Sequence, residues 1–220
     1  MRRAILESVA FLLMLAASLF ATRGSLAWPM GWGVFVVCAL FTAAGLLLLP
    51  AELLAERSTL PSDARPRDLL IASLALVFLM PATLIVCGLD ARWHCSPHVP
   101  AVLQWAALAV FALGYAVTLW AAWSNPFFSA VVRVQRERGH HVVASGPYAL
   151  VRHPGYAGAV VAHLALPFAL GALWGLVPAL IGCGCLLLRL RYEERVLVAE
   201  LPGYRDYARR VPWRLLPRVW

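Results

Sequence analysis

The sequence predicts an all-α, polytopic integral membrane protein, and three observations support that prediction. Apolar residues make up 62% of the chain and charged residues only 14%, whereas about 25% of a soluble globular chain is charged. The apolar residues form blocks of the ~20 residues that a helix needs to cross a bilayer. The arginines lie mainly between these blocks. We expect a helical bundle of four spans plus a C-terminal helical hairpin, giving five to six transmembrane helices in a single domain over residues 1–220.

The first half of the chain, residues 1–123, contains the four predicted spans, near residues 4–21, 30–49, 69–89 and 99–122. Arg2 and Arg3 before the first block are also typical of a cleaved signal peptide. However, this block continues to Ala21 and is followed by Arg23, where a cleavage site would have small residues. We therefore favour an uncleaved first span.

The last apolar tract, residues 156–188, is too long for one comfortable crossing of the bilayer. It is interrupted by Pro167 and Pro178 and by Gly171 and Gly175. Because proline and glycine break helices, we expect two helices joined by a turn near residues 171–175.

The loop between the second and third spans has a short amphipathic stretch at residues 52–57, followed by a proline-rich piece that ends at Pro66. The stretch has two interpretations, and both remain open. In the first, it is an interfacial helix whose arginine faces lipid headgroups. In the second, it controls the access of a lipid-like substrate to the protein.

The placement of the arginines predicts the orientation of the chain. The net charge is +8, but only Arg23 and Arg92 fall on one predicted side, and the other arginines share the opposite side. Because basic loops stay on the cytoplasmic side, we expect both termini in the cytoplasm. This distribution of the positive charge is typical of a membrane protein, and we expect no nucleic-acid partner.

Two groups of residues resemble metal ligands at first sight. Cys183 and Cys185 lie in an apolar span, and His94, Cys95 and His98 lie in one short loop. Neither group has the four ligands of a structural metal site. Cysteines within apolar spans behave as small hydrophobic residues, so we expect no metal.

Polar residues are concentrated at both ends of the predicted hairpin. The two clusters contain His140, His141, Tyr148, Arg152, His153 and Tyr156 before it, and Arg189, Arg191, Glu193 and Glu194 after it. A hairpin returns close to its start, so the clusters should meet at the cytoplasmic interface and form a polar pocket with a lipid-facing wall. Arg191 and Glu194 share a helix face. They form either a solvated ion pair or a clamp for the charged ends of an amino acid.

The motifs of this half resemble one known family in combination. Gly-Pro-Tyr-x-x-x-Arg-His-Pro-x-Tyr-x-Gly at 146–158 is followed by Arg-x-Glu-Glu at 191–194, Gly-Tyr-x-x-Tyr at 203–207 and Arg-Val-Pro at 210–212. This pattern resembles the isoprenylcysteine carboxyl methyltransferase family, and related phospholipid N-methyltransferases share much of it. The resemblance covers about residues 125–217. Asn125, Gln135 and residues 140–143 fit its prokaryotic branch.

The resemblance implies an S-adenosyl-L-methionine site in residues 124–220, built without a Rossmann fold. No glycine-rich strand–helix fingerprint of that fold occurs in the sequence. By motif position, the cofactor would be surrounded by Gln135, His140, His141, Val142, Val143, Tyr148, His153, Pro154, Gly155, Tyr156 and Glu194. Arg152 and Arg191 would lie nearest the methyl acceptor as the catalytic residues. Whether His140 or His141 faces the cofactor remains open.

The expected activity is methyl transfer from S-adenosylmethionine to a lipophilic acceptor, by carboxyl O-methylation of an isoprenylcysteine-like substrate. A carboxylate is ionised at pH 7 and needs no general base. The alternatives are a phospholipid N-methyltransferase and a membrane NADPH-dependent sterol or enone reductase. We expect the protein in a bacterial inner membrane, with its site facing the cytoplasm.

Overall fold

The computed structural model describes residues 2–59 and 65–220, and the regular elements in these ranges are all helices. The proline-rich piece predicted before Pro66 lies largely outside the described residues. The helices are α1 (Arg2–Ala21), α2 (Pro29–Leu48), α3 (Ala51–Arg57), α4 (Pro66–Trp93), α5 (Ala101–Ser124), α6 (Pro154–Leu170), α7 (Leu176–Glu200) and α8 (Tyr204–Arg210). The predicted all-α membrane fold is confirmed.

Five of these helices, α1, α2, α4, α5 and α7, are long and apolar enough to cross a membrane. Between 17% and 33% of each apolar span is buried inside the protein. The remaining apolar side chains face outward, as Leu47 and Val102 do with 83% and 82% of their surface exposed. An apolar surface of this extent is stable in lipid and aggregates in water.

The predicted C-terminal hairpin is present. Helix α6 ends where Gly171 adopts the left-handed conformation with φ of 65°. A short 3₁₀ turn at Leu173–Gly175 then leads into α7. Helix α6 has 17 residues, so it rises about 26 Å and is shorter than a ~30 Å hydrocarbon core.

Helices α5 and α6 pack closely through small residues. A Cβ atom on Gly158 would lie 2.4 Å from the carbonyl oxygen of Gly114, and one on Gly114 would lie 2.6 Å from the carbonyl oxygen of Gly158. Between these glycines, Thr118 Oγ1 lies 3.3 Å from the carbonyl oxygen of Gly155 and donates a hydrogen bond to it. Small residues let two membrane helices approach closely, and this contact fixes the start of α6.

The opposite end of the bundle is held by the buried carboxylate of Asp90. Its Oδ1 accepts a bond of 2.8 Å from the backbone N–H of Ser96, and its Oδ2 accepts one of 3.0 Å from that of Trp174. The loop after α4 is thereby tied to the turn of the hairpin. The end of α1 lies close to Gly88 near the end of α4, so α1 and α4 run in the same direction.

Candidate active site

A cavity of 460 Å³ lies where α6 begins and α7 ends. Its size is within the ~300–1,000 Å³ typical of ligand pockets. Polar side chains of its lining come from the loop after α5, the start of α6 and the second half of α7, and an apolar patch comes from α4 and from Leu186 of α7. Nine of the predicted site residues line it: His140, His141, Val142, Val143, Tyr148, Arg152, His153, Gly155 and Tyr156.

The two ends of the hairpin meet at this cavity, as the sequence predicts. Tyr156 near the start of α6 donates a hydrogen bond of 2.6 Å from its hydroxyl to Oε2 of Glu193 on α7. Arg189, one helical turn before Glu193, donates a bond of 3.2 Å to the same hydroxyl oxygen. Both Tyr156 and Glu193 line the cavity. A single carboxylate is therefore presented to the cavity with one oxygen fixed by tyrosine.

Arg189 is itself fixed by a fully buried carboxylate from α4. Its Nε donates a bond of 2.8 Å to Oδ1 of Asp68, and its Nη2 donates one of 2.7 Å to the carbonyl oxygen of Ala130. Asp68 also accepts a bond of 2.7 Å from the backbone N–H of Val132. Asp68 thus joins α4, α7 and the loop after α5 behind the cavity.

Glu194 does not line the cavity, although it is adjacent to Glu193. It is buried, its Oε1 accepts a bond of 2.7 Å from Nε of Arg152, and its Oε2 accepts one from Nε of Arg214. Arg152 also donates a bond of 2.8 Å from Nη1 to the carbonyl oxygen of Val211. Most donors of Arg152 are therefore used within the protein.

The C-terminal tail closes this side of the site. The backbone N–H of Arg152 donates a bond of 2.9 Å to the carbonyl oxygen of Trp213. The backbone N–H of His153 donates a bond of 2.9 Å to the backbone carbonyl oxygen of Arg214. Arg191 is exposed and does not line the cavity, and its guanidinium lies 5.7 Å from the ring centre of Trp220. The role of Arg191 at the acceptor stays a prediction, as does that of Arg152.

The loop after α5 forms an aromatic wall. The rings of Phe127 and His140 stack at a centroid distance of 4.4 Å, and His141 meets Phe127 edge-on at 5.0 Å. Gln135 is fully buried behind them and does not line the cavity. Its side chain donates a bond of 3.0 Å to the carbonyl oxygen of Phe127, and its backbone N–H donates one of 3.2 Å to Nδ1 of His140.

Two histidines of the site are neutral at pH 7. Burial, together with the nearby His141 and arginines, lowers the pKa of His140 to about 4. Burial also lowers the pKa of His153, against the opposing effect of Glu193 and Glu194. His153 precedes Pro154, which is the first residue of α6 and does not line the cavity.

Several residues lining the cavity were not among the predicted site residues. Tyr204 and Tyr207 of α8 line it, and the hydroxyl of Tyr207 donates a bond of 2.7 Å to the carbonyl oxygen of Tyr148. The motif Gly-Tyr-x-x-Tyr marked both tyrosines in the sequence. Phe127 and Arg57 also line the cavity. Arg57 ends the amphipathic stretch at residues 52–57, for which control of substrate access is one of the two interpretations given above.

The part of the chain that the structure describes contains no group of three or more His, Cys, Asp or Glu able to hold a metal ion. The expectation that the protein uses no metal stays a prediction.

A family model described as phospholipid methyltransferase matches residues 102–202, from α5 to just beyond the end of α7. The match covers slightly less than half of the chain, and over these residues the chain is similar to the phospholipid methyltransferase family. The match confirms the resemblance drawn from the motifs, because it covers the hairpin and both of its polar ends. No curated protein matches the chain. The family match and the five apolar helices together indicate an integral membrane methyltransferase.

Proposed function

We propose that this methyltransferase takes its methyl group from S-adenosylmethionine and acts on a lipophilic acceptor. The observation that carries the proposal is the cavity at which both hairpin ends meet, with the Glu193 carboxylate on its wall and an apolar face opposite. We place the protein in a bacterial inner membrane with the cavity facing the cytoplasm, because the arginine-rich loops lie at this end.

The residues of the cavity fit the proposed cofactor in charge and in shape. Glu193 accepts one hydrogen bond, from Tyr156, and its remaining lone pairs suit an ammonium group. The stacked rings of Phe127 and His140 provide a flat surface for a purine. When bound, the cofactor supplies a methyl group activated by a positive sulfonium. The protein holds both reactants and excludes water around them.

For the acceptor we propose a carboxylate on an isoprenylcysteine-like molecule. Such a group is already ionised at pH 7, so no residue needs to remove a proton. The apolar wall of α4 and α7 would hold the isoprenoid tail. Arg152 and Arg191 remain candidates for the acceptor side, as the resemblance implies, with the constraint that Arg152 already binds Glu194.

Phospholipid N-methylation is a second candidate, favoured by the description of the matching family. An ammonium acceptor must lose a proton before it can accept a methyl group. His153 lines the cavity, and burial lowers its pKa, so it is neutral at pH 7 and able to accept a proton. Under this alternative, His153 would be the base.

The proposed function is tested by ligand binding and by methyl transfer with purified protein. We expect calorimetry to detect S-adenosylhomocysteine binding with a dissociation constant on the order of 1 μM. Tritiated methyl transfer to lipid extracts should then give a labelled product. A label released by mild base indicates an ester, and a base-stable label indicates N-methylation. Binding of NADPH without binding of S-adenosylhomocysteine would refute the proposal in favour of a reductase.

The two adjacent glutamates should respond differently to the same substitution. Glu193→Gln should weaken S-adenosylhomocysteine binding about 10- to 100-fold, because a charge-assisted hydrogen bond is lost, and should leave the unfolding temperature nearly unchanged. Glu194→Gln should instead lower the unfolding temperature by about 5–10 °C, because Arg152 and Arg214 lose their shared anion. Calorimetry and thermal unfolding in detergent measure both effects.

Each glutamate variant is the control for the other. If Glu194→Gln abolished ligand binding without any loss of stability, Glu194 would contact the cofactor directly, as the motif position implies.

A further inference from the structure

Arg57, the last residue of α3, has an unusual position at the cavity. Its guanidinium carbon lies 5.1 Å from the ring centre of Phe128, and its Nη1 donates a bond of 3.2 Å to the carbonyl oxygen of Phe128. It lines the cavity. Among the residues that the structure describes, no carboxylate lies within ion-pair distance of Arg57. The guanidinium therefore has donors that are directed to no anion of the described residues.

The other arginines of the cavity all have acidic partners. Arg189 is paired with Asp68 and Arg152 with Glu194. Arg133 is paired with both Glu56 and Glu137. These pairs neutralise the polar wall and leave Arg57 as a positive charge without such a partner among the described residues.

Glu56, the residue before Arg57, is not its ion-pair partner. Its Oε1 accepts a bond of 3.2 Å from the hydroxyl of Ser129 and one of 3.3 Å from Nε of Arg133. Arg57 is exposed, so its remaining donors are accessible to an incoming anion.

The wall of the cavity next to α3 is apolar. It is formed by side chains of α4 and α7, namely Ala72, Ala75, Leu76, Leu79 and Leu186. A polar ligand would leave this wall without partners, whereas an alkyl or isoprenoid chain would cover it. The combination of an apolar wall and one cation without an anion matches an amphiphile with a negative head group.

We propose that Arg57 binds the anionic head group of the methyl acceptor, a carboxylate or a phosphate carried on an apolar tail that packs against α4 and α7. This inference rests on the proposed function and deepens it, because it assigns the residue that selects for a negative head group on the acceptor. It also gives α3 a function at the membrane surface. The amphipathic stretch presents Arg57 to amphiphiles that enter from the lipid.

The test is equilibrium binding of tritiated probes to the full-length protein in detergent micelles. Two pairs of probes share a tail and differ in whether the head group is anionic: N-acetyl-S-farnesylcysteine with its primary amide, and farnesyl phosphate with farnesol. We expect the anionic member of at least one pair to bind about 10- to 100-fold more tightly than its neutral partner. The pair with the larger ratio tells whether the head group is a carboxylate or a phosphate.

Arg57→Gln should reduce that ratio to within about threefold, and Arg57→Lys should keep part of it because the charge remains. Arg67→Gln is the matched control, since Arg67 is an exposed arginine at the start of α4 that does not line the cavity. It should keep the wild-type ratio. Thermal unfolding and S-adenosylhomocysteine binding show that each variant is folded.

Two results would overturn the inference. One is a wild-type ratio near one for both pairs, and the other is a preference that survives in folded Arg57→Gln protein. Failure of the proposed function gives a different result, namely no binding of S-adenosylhomocysteine, whatever the probes do.

Discussion

Glu193 and Glu194 are neighbours in the chain, but their carboxylates have different partners. Adjacent residues on a helix point about 100° apart, so only one of them faces the cavity. Glu193 meets the hydroxyl of Tyr156 there, and Glu194 turns toward Arg152 and Arg214. The Arg-x-Glu-Glu motif therefore combines one residue that lines the site with one that holds the C-terminal tail in place.

His140 is the residue from which a pH dependence of stability follows. Its Nδ1 accepts a hydrogen bond from the backbone N–H of Gln135, and protonation of this nitrogen would break the bond. Burial lowers the pKa of His140 to about 4 in the folded protein, whereas the pKa of an unfolded histidine is about 6.5. Between these values the unfolded state binds more protons, so the folded state loses stability as the pH falls from about 6.5 to about 4.

Replacing His140 with asparagine should weaken this pH dependence. Asparagine offers its Oδ1 in place of Nδ1, so it keeps an acceptor for Gln135 but does not titrate. We expect the unfolding temperature of His140→Asn to fall less than that of the wild type between pH 7 and pH 5. Thermal unfolding in detergent at several pH values measures this. Parallel curves for the two proteins would contradict the prediction, because His153 alone would then account for the acid sensitivity.

At the scale of elements, the contact between α5 and α6 decides where the site residues lie. Gly114 and Gly158 let the two backbones approach, and Thr118 bonds to the carbonyl oxygen of Gly155. His153, Gly155 and Tyr156 are all in the first turn of α6 or directly before it. Their position relative to the loop after α5 therefore depends on how closely these two helices pack.

Gly158→Ala should separate the two helices. The added Cβ would lie 2.4 Å from the carbonyl oxygen of Gly114 and 2.9 Å from the backbone nitrogen of Thr118. Since these are backbone atoms, the helices must move apart, at a cost of about 1–3 kcal/mol. We expect a lower unfolding temperature and weaker binding of S-adenosylhomocysteine.

Gly184→Ala on α7 is the control for this substitution, because no atom lies within 4 Å of its added Cβ. Alanine also favours the helix, so this variant should be as stable as the wild type or slightly more so. Equal stability of Gly158→Ala and Gly184→Ala would show that the α5–α6 contact adapts without cost.

The C-terminal tail also helps to position the residues at the start of α6. Its backbone carbonyl groups accept bonds from the backbone of Arg152 and His153, and its Arg214 pairs with Glu194. The tail is therefore part of the structure that holds the motif at the start of α6. Within the motif at 210–212, the carbonyl oxygen of Val211 also accepts a bond from Arg152.

At the scale of the whole molecule, the cavity and the arginine-rich segments lie at one end of the bundle. Helices α1 and α4 run in the same direction, and α2 and α5 return to the end at which α4 begins. The loop with Cys95 lies at the opposite end, between α4 and α5. Which end faces the cytoplasm stays a prediction of the positive-inside rule.

Cys95 is a natural reporter for this orientation, since it is exposed whereas the cysteines of the helices are buried or partly buried. A membrane-impermeant maleimide should label it in right-side-out vesicles but not in sealed inverted vesicles. Cys95→Ser should abolish the label. In that background, Arg209→Cys, at an exposed position of α8, should be labelled only in inverted vesicles. The reverse pattern would place the cavity outside the cytoplasm.

The sequence by itself determined the long apolar helices, the hairpin with its turn near residues 171–175, and the meeting of its two polar ends, but it left the number of spans at five to six. These features follow from hydrophobic block length and from helix breakers, which act locally along the chain. The family resemblance also followed from the sequence alone, because its motifs are short and occur in a fixed order along the chain. The grouping of the chain into a single domain and the roles of the site residues at a cofactor stay predictions.

Only the tertiary structure decided which polar residues face the cavity. It turned Glu193 inward and Glu194 toward Arg152, placed Gln135 behind the aromatic wall, and brought Arg57 at the end of α3 against Phe128 at the cavity. Spacing along one helix gives the angle between side chains but not the direction in which the helix faces. That direction is set by packing between α5 and α6 and by buried ion pairs between residues far apart in the chain, such as Asp68 with Arg189.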